Sequence, residues 1–286
     1  MTAASVGGAR LATFSAGARR VDPILILAGA ICAALVVLAI IGPWLAPFPP
    51  NQTDVLAASQ GPSAAHILGT DSLGRDIVSR LMEGARLSFL GPGIIVAFSI
   101  TFGTLFGIAC AWSGGVLDSM LTKSFNVLFA IPGILLALIA AAVFGSGFWA
   151  AVLSLSLVYV PYVARVIRSA ALGERHRPYV EACQLAGMSS LRICSRHVLR
   201  NVAPVVLAQA TIGFGSALMD FGALSFLGVG VQPPQAEWGL MVSDGRSELL
   251  SGALQQSLSA GLLIVVSVVA FNVLGERLSA RAEDDR

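Results

Sequence analysis

Arg175-His-Arg-Pro-Tyr-Val-Glu-Ala-Cys-Gln-Leu-Ala-Gly-Met-Ser-Ser-Leu-Arg-Ile-Cys-Ser-Arg-His-Val-Leu-Arg200 is a basic, polar island between long apolar runs. Pro178 suits the first turn of a helix, where its missing N–H has no role. Good helix formers follow as far as Gly187, which supplies the positive φ that ends a helix. Ser189 or Ser190 is placed to cap a second helix through Leu191, Ile193 and Val198. The pattern predicts helix, glycine turn, helix: a surface element at the cytoplasmic face of a membrane.

The surroundings require that membrane. The chain of 286 residues is 56% apolar and only 12% charged, with a mean hydropathy of +0.80. Soluble domains run at about 45–50% apolar and about 25% charged. Ile24 to Trp44 makes a helix of about 31 Å at ~1.5 Å per residue, enough for a hydrocarbon core of roughly 30 Å. It exceeds a signal-peptide core, and Pro43, Pro47, Pro49 and Pro50 stand where a small-residue cleavage site belongs, so it reads as an uncleaved first span. Further apolar runs recur at about 87–112, 120–144, 148–167, 202–222 and 257–275. The expectation is an all-α membrane protein of six transmembrane helices. Gly103-x3-Gly107 is a small-residue surface for close helix packing. Pro132-Gly133 and Pro161 predict breaks or kinks in the third and fourth spans.

The expected order is a cytoplasmic tail (1–22), a first span (23–45), an extracytoplasmic loop with an interfacial helix (46–86), a five-helix core (87–277) and a second cytoplasmic tail (278–286). The tail 1–22, rich in Ala, Gly and Ser, is expected to be mostly disordered. The core includes the cytoplasmic loop 174–200 and an outer loop at 223–256. In the first outer loop, Thr70 or Asp71 is expected to cap a helix bearing Leu73, Ile77, Val78, Leu81 and Met82 that lies flat on the membrane. In the second, Gly228, Gly230, Pro233 and Pro234 argue against regular helix. In this topology Arg75, Arg80, Arg86 and Arg246 are the only outside cations of the 18 lysines and arginines, as the positive-inside rule requires. Trp44 and Trp149 fall at outer span ends and Trp112 at an inner one.

Several chemistries are absent. The sole lysine, Lys123, follows Thr122, so no Gly-x4-Gly-Lys-Ser/Thr phosphate loop exists. The four cysteines, Cys32, Cys110, Cys183 and Cys194, form neither a disulfide framework nor a metal motif. His66, Asp71 and Asp76 have no defensible metal spacing. Few charges enter the spans, which argues against a proton relay. The same scarcity argues for work supplied from outside the chain.

Glu181-Ala182-Cys183 followed by Gly187 resembles the EAA-x3-G signature of ABC-importer permeases, with Cys183 at the second alanine. The signature continues in His197-Val198-Leu199-Arg200, where Arg200 replaces the usual proline. Gly69-Thr70-Asp71, Gly74-Arg75-Asp76, Ser79-Arg80 and Gly84-Ala85-Arg86-x-Ser88 resemble a block of C-type dipeptide and oligopeptide permeases, as do Leu224-Ser-Phe-Leu-Gly228, Gln232-Pro-Pro and Glu237-Trp238-Gly239. Many relatives carry an acid at about Phe221, whereas this chain has Asp220.

The resemblance implies a type I ABC-importer permease fold in a bacterial inner membrane and a peptide as solute, with nickel or another small solute as the alternative. It implies no cofactor, metal or ATPase site in this chain and no nucleic acid partner. ATP and Mg would sit on two ATP-binding subunits, alongside a second homologous permease subunit and an extracytoplasmic substrate-binding protein. Tyr179, Glu181, Ala182, Gly187, Arg192 and His197 are the implied ATPase-coupling residues. Asp71, Arg75, Asp76, Gln232, Glu237 and Trp238 are the implied contacts of the binding protein. The competing readings are a stand-alone secondary transporter or channel, which needs inverted repeats with charged broken helices, and a membrane enzyme, which needs a reactive cluster.

Overall fold

In the computed structural model, residues 22–250 and 252–284 are described. The tail 1–21 with Arg10, Arg19 and Arg20, and the last residues 285–286, lie outside the described residues. Helix α1 (Pro23–Leu45) starts as its sequence dictates: Pro23 takes the first turn and the Asp22 carboxylate accepts the Ile24 N–H at 3.0 Å. It packs on α2 (Ile77–Ser113) and α11 (Gln255–Asp284) and turns Ile26, Leu27, Ile40 and Trp44 outward.

Helix α2 differs from expectation. It is one rod of 37 residues, about 55 Å at ~1.5 Å per residue. The stretch expected as a separate interfacial helix is its first turns. The cap is Asp76, whose Oδ2 accepts the Ser79 N–H at 2.8 Å, and not Thr70 or Asp71. Gly74, at φ +73°, explains the shift: the chain turns sharply there, where a side chain would collide with the Asp54 carbonyl, so helix begins only after it.

The third span is broken, as Pro132 and Gly133 predict. Helices α3 (Gly115–Phe129) and α4 (Gly133–Phe144) meet at 84°. Helix α5 (Phe148–Arg175) carries Pro161 within it and runs on past the expected end at 167. It crosses α2 where glycines allow close approach: a Cβ at Gly103 would lie 2.6 Å from Val163 Cβ, and one at Gly107 2.8 Å from the Ala164 carbonyl. The packing reading of Gly103-x3-Gly107 holds.

After α6 (Pro178–Leu185), α7 (Ser190–Ile193) passes through a π-helical turn at Cys194–Val198 into α8 (Leu199–Phe226). The second helix of the island is thus the start of a span, not a separate piece. Two short helices, α9 (Trp238–Asp244) and α10 (Arg246–Leu250), precede α11. Among the described residues five helices are long and apolar enough to cross a membrane, six if the bent α3–α4 pair is counted as one span.

The buried apolar residues form three clusters. One joins α5 and α8 around Leu155, Tyr159 and Phe221. A second joins α1, α2, α9 and α11 around Phe89, Trp238 and Met241. The third, at the α6 end, holds Ala111, Val180, Ile193 and Val202.

Candidate functional site

The α6 end is built to present a short helix. Pro178 opens α6 and Gly187, at φ +74°, closes it. The Gly187 N–H donates to the Gln184 carbonyl at 3.0 Å and the Met188 N–H to the Cys183 carbonyl at 3.1 Å. That pair of bonds is a Schellman cap, which satisfies the last carbonyls of the helix and needs a left-handed residue. Val180 is fully buried in the third cluster, with Tyr179, Cys183 and Met188 packed against it. The other face is open: Glu181, Ala182 and Gln184 are exposed, and Leu185 is 90% exposed.

One carboxylate ties this helix to the spans. Glu174, 3% exposed at the end of α5, accepts from Tyr179 Oη at 2.9 Å and from Asn201 Nδ2 at 3.2 Å, and pairs with Arg177 Nε at 3.2 Å. Burial, and then the bond to Glu174, raises the Tyr179 hydroxyl above its ordinary pKa. Three helices, α5, α6 and α8, therefore meet on one acid that the sequence pattern does not single out. Its only local signal is spacing: Arg177 follows by three residues and Tyr179 by five. Arg175 adds a second tie, donating to the Ala111 carbonyl at 2.8 Å beside Trp112.

Of the six residues expected here, Tyr179 is an anchor. Glu181, Ala182, Gly187 and Arg192 are exposed, and His197 is half-buried in the π turn. Arg200 is exposed in the first turn of α8, which runs on helically. Leu191 in α7 is 79% exposed.

The α9 end is the opposite case. Asp71 accepts from the Leu73 and Arg75 N–H groups, both at 2.9 Å, and from Arg75 Nε at 2.6 Å, with Arg80 Nε at 3.5 Å. Asp76 holds Ser79 and meets His66 Nδ1 at 3.0 Å. Glu237 caps α9 through the Gly239 and Leu240 N–H groups at 2.9 and 2.8 Å, and accepts from Ser88 Oγ at 3.0 Å. Trp238 donates its indole N–H to the Leu81 carbonyl at 2.9 Å. Asp71, Arg75, Asp76, Glu237 and Trp238 are each 5% exposed or less. They hold α9 and the loop that precedes α2 onto α2, and burial leaves their side chains almost no surface for a partner to touch. Gln232, half-buried, donates to the Gly228 and Gly230 carbonyls of its own turn. Of these six side chains, Gln232 alone keeps appreciable exposed surface. Burial also raises the Glu237, Asp244 and Glu248 carboxyls above their ordinary pKa.

Position 221 is filled by a fully buried Phe that packs on Gly91, where a Cβ would lie 2.7 Å from the ring. Asp220, one residue earlier and about 100° around the helix, instead lines a cavity of about 420 Å³ between α3, α5 and α8.

Comparison with known proteins bears on the whole chain. Residues 103–284 match the family described as binding-protein-dependent transport system inner membrane component, and residues 20–62 match the N-terminal TM domain of oligopeptide transport permease C. The probable D,D-dipeptide transport system permease protein DdpC of Escherichia coli K12 is 34% identical, over 89% of this chain and 85% of that protein. The di/tripeptide transport system permease protein DppC of Pseudomonas aeruginosa is 38% identical, over 85% and 82%. Among solved structures, the inward-facing MetNI methionine ABC transporter matches with a TM-score of 0.58 at 18% identity, covering 71% of this chain and 95% of that one. That match concerns the fold.

Proposed function

The chain belongs to the family of binding-protein-dependent transport system inner membrane components, the permease subunits of ABC transporters, and on that premise we propose that it forms half of the pathway of an ATP-driven importer of di- or oligopeptides. The relatives' names support the solute class. In this reading a second permease of similar fold completes the pathway, two ATP-binding subunits hold ATP and Mg, and an extracytoplasmic protein delivers the peptide. The partition of basic residues supports a bacterial inner membrane with the α6 end and both termini in the cytoplasm.

The observation that carries the mechanism is the two-faced α6. Its Val180 side is fixed to α5 and α8, and its Leu185 side is exposed apolar surface on a capped, pre-formed helix. A surface of this kind fits a groove on a neighbour, as amphipathic helices generally do. Because Glu174 joins α6 to both spans, displacement of α6 by closing ATPase subunits would be passed to α5 and α8, which border the cavity. Nucleotide then biases a two-state pathway.

Gly187→Val tests this. Open space surrounds Gly187, with nothing within 4 Å of a Cβ there, so the whole cost falls on the positive φ, which a β-branched residue resists. The expected outcome is a protein that inserts and co-purifies with its ATPase subunits but no longer couples ATP hydrolysis to uptake in proteoliposomes. ATP-dependent uptake at the wild-type rate would overturn the reading.

A further inference from the structure

Asp220 differs from Asp118 and Glu174, the acids of the neighbouring helices α3 and α5. Asp118 is held bidentately by Arg168, at 2.6 Å to each oxygen, and Glu174 by Arg177. Asp220 is in none of the ion pairs among the described residues; its hydrogen bond there is from Tyr159 Oη, at 2.8 Å to Oδ2. Arg165, about two turns along α5 from Tyr159, is turned to the Asn126 side chain and the Phe129 ring. A carboxylate has about four acceptor positions, and the tyrosine uses one.

The site around it is concave. The cavity, about 420 Å³, falls in the range of roughly 300–1,000 Å³ usual for small-molecule sites. The Ile131-Pro132-Gly133 break supplies one wall, and Phe129 and Tyr162 supply aromatic faces. An acid within a span that lacks a basic partner and faces a cavity marks a binding or conduction site. Apolar walls with two convergent polar groups and aromatic rings favour an ammonium that carries an apolar substituent.

We propose that Asp220 and Tyr159 form a cation station in the pathway, which binds the protonated amino group of the passing solute while its side chains lie on the apolar walls. Tyr159 is the positioning residue: its hydroxyl holds one carboxylate oxygen and leaves the other for the ammonium. The identity of that ammonium as a peptide amino terminus rests on the function proposed above; the station itself does not.

The test uses the assembled transporter in proteoliposomes. Ser216, exposed on the cavity wall, is replaced in Ser216→Cys and labelled with ethylammonium and ethylsulfonate methanethiosulfonates, against the unsubstituted protein as background. After correction for intrinsic reactivity, the cationic reagent should react at least ~10-fold faster, the scale on which a charged cleft raises local counter-ion concentration. The preference should vanish with Asp220→Asn and survive Tyr159→Phe. Equal rates in Ser216→Cys alone, or a preference that persists in Asp220→Asn, would overturn the station. Should Asp220→Asn fail to assemble, Asp220→Ser takes its place in the Ser216→Cys protein, with the same two outcomes.

In parallel, uptake of the dipeptide Ala-Phe at saturating binding protein should fall about tenfold in Asp220→Asn, the factor that ~1.4 kcal/mol represents. Ala-Phe should also slow the labelling of Ser216→Cys, and its N-acetyl form should not. Full uptake by Asp220→Asn removes the station and leaves the peptide importer standing. A cation preference in a transporter that takes up no peptide removes the peptide reading and leaves the station.

Discussion

The two ends of this molecule both carry charged motifs punctuated by glycine, and use them in opposite ways. At the α9 end the acids are inside: Asp71 and Glu237 are 1% exposed and their carboxylates accept hydrogen bonds from donors of this chain. At the α6 end Glu174 and Val180 are inside, and Glu181, Ala182, Gln184 and Leu185 face out. Buried charge at the first end specifies which loop lies on which helix. Exposed, capped helix at the second offers a shape to something else. The same residue types therefore predict opposite responses to substitution.

The largest effect is expected at Asp71. Removing it in Asp71→Ala leaves Arg75 and Arg80, with side chains 6% and 1% exposed, without their shared carboxylate. Breaking a buried pair from one side costs about 3–5 kcal/mol. The thermal midpoint in detergent should fall sharply, with loss of the fold of the loop that precedes α2. A midpoint within a degree or two of wild type would mean that the network is a consequence of the fold and not a cause.

A smaller effect is expected at Glu174, the acid that joins the two kinds of region. Glu174→Ala removes the carboxylate that Tyr179 Oη, Asn201 Nδ2 and Arg177 share, and a lost hydrogen bond to a charged group costs about 1.5–3 kcal/mol. Hydrogen exchange should quicken in residues 176–190 and stay unchanged around α9. Uniform loosening of the whole chain would show that the α6 end is not the separate unit its contacts describe.

Glu237 tests the buried end through pH. Its carboxyl is held above the ordinary glutamate range by burial, partly offset by the bonds from Gly239 and Leu240. The native state therefore keeps this proton to a higher pH than the unfolded chain does. Between the ordinary value, about 4.3, and the raised one, the native state binds more protons, so this group's contribution to stability falls as pH rises. Glu237→Gln does not titrate, so its midpoint relative to wild type should climb as pH is raised through that window. The loss of one acceptor adds only a constant offset. A difference that is flat with pH would place the wild-type carboxyl at its ordinary value.

How much of this was legible follows the same division. Apolar runs and the Pro132-Gly133 break announced the spans, because lipid-facing length and a missing N–H act locally. Gly187 was legible as a helix end for the same reason. The long α2 was not: Thr70, Asp71 and Asp76 are all plausible caps, and the choice depends on the turn that Gly74 makes against Asp54, far along the loop. Nor was the burial of Glu237 and Trp238, whose partners Ser88 and Leu81 lie 149 and 157 residues away. Charge in a Gly- and Pro-rich loop reads as surface until those partners are known. Asp220 was visible as an acid one residue from where relatives carry theirs; that this step turns it from the packed Gly91 face to a cavity needed the helix in place.

The exposed end yields the smallest stability effect and the sharpest contrast. Leu185 is 90% exposed at the last turn of α6, so Leu185→Ser removes no contact from this chain's core, and surface changes of this kind stay within about 0.5 kcal/mol. Its thermal midpoint should match wild type. If α6 seats in a groove on an ATPase subunit, the same substitution takes an apolar anchor from that interface, and co-purification of the ATPase subunits should weaken by about tenfold or more, since interface anchors are worth ~2 kcal/mol and upward. Stability and assembly then separate at one residue, as they cannot at Asp71, where loss of fold removes both. A Leu185→Ser protein that assembles and couples normally would leave α6 as a capped surface helix with no partner on its apolar side, and the contrast between the two ends would reduce to depth of burial alone.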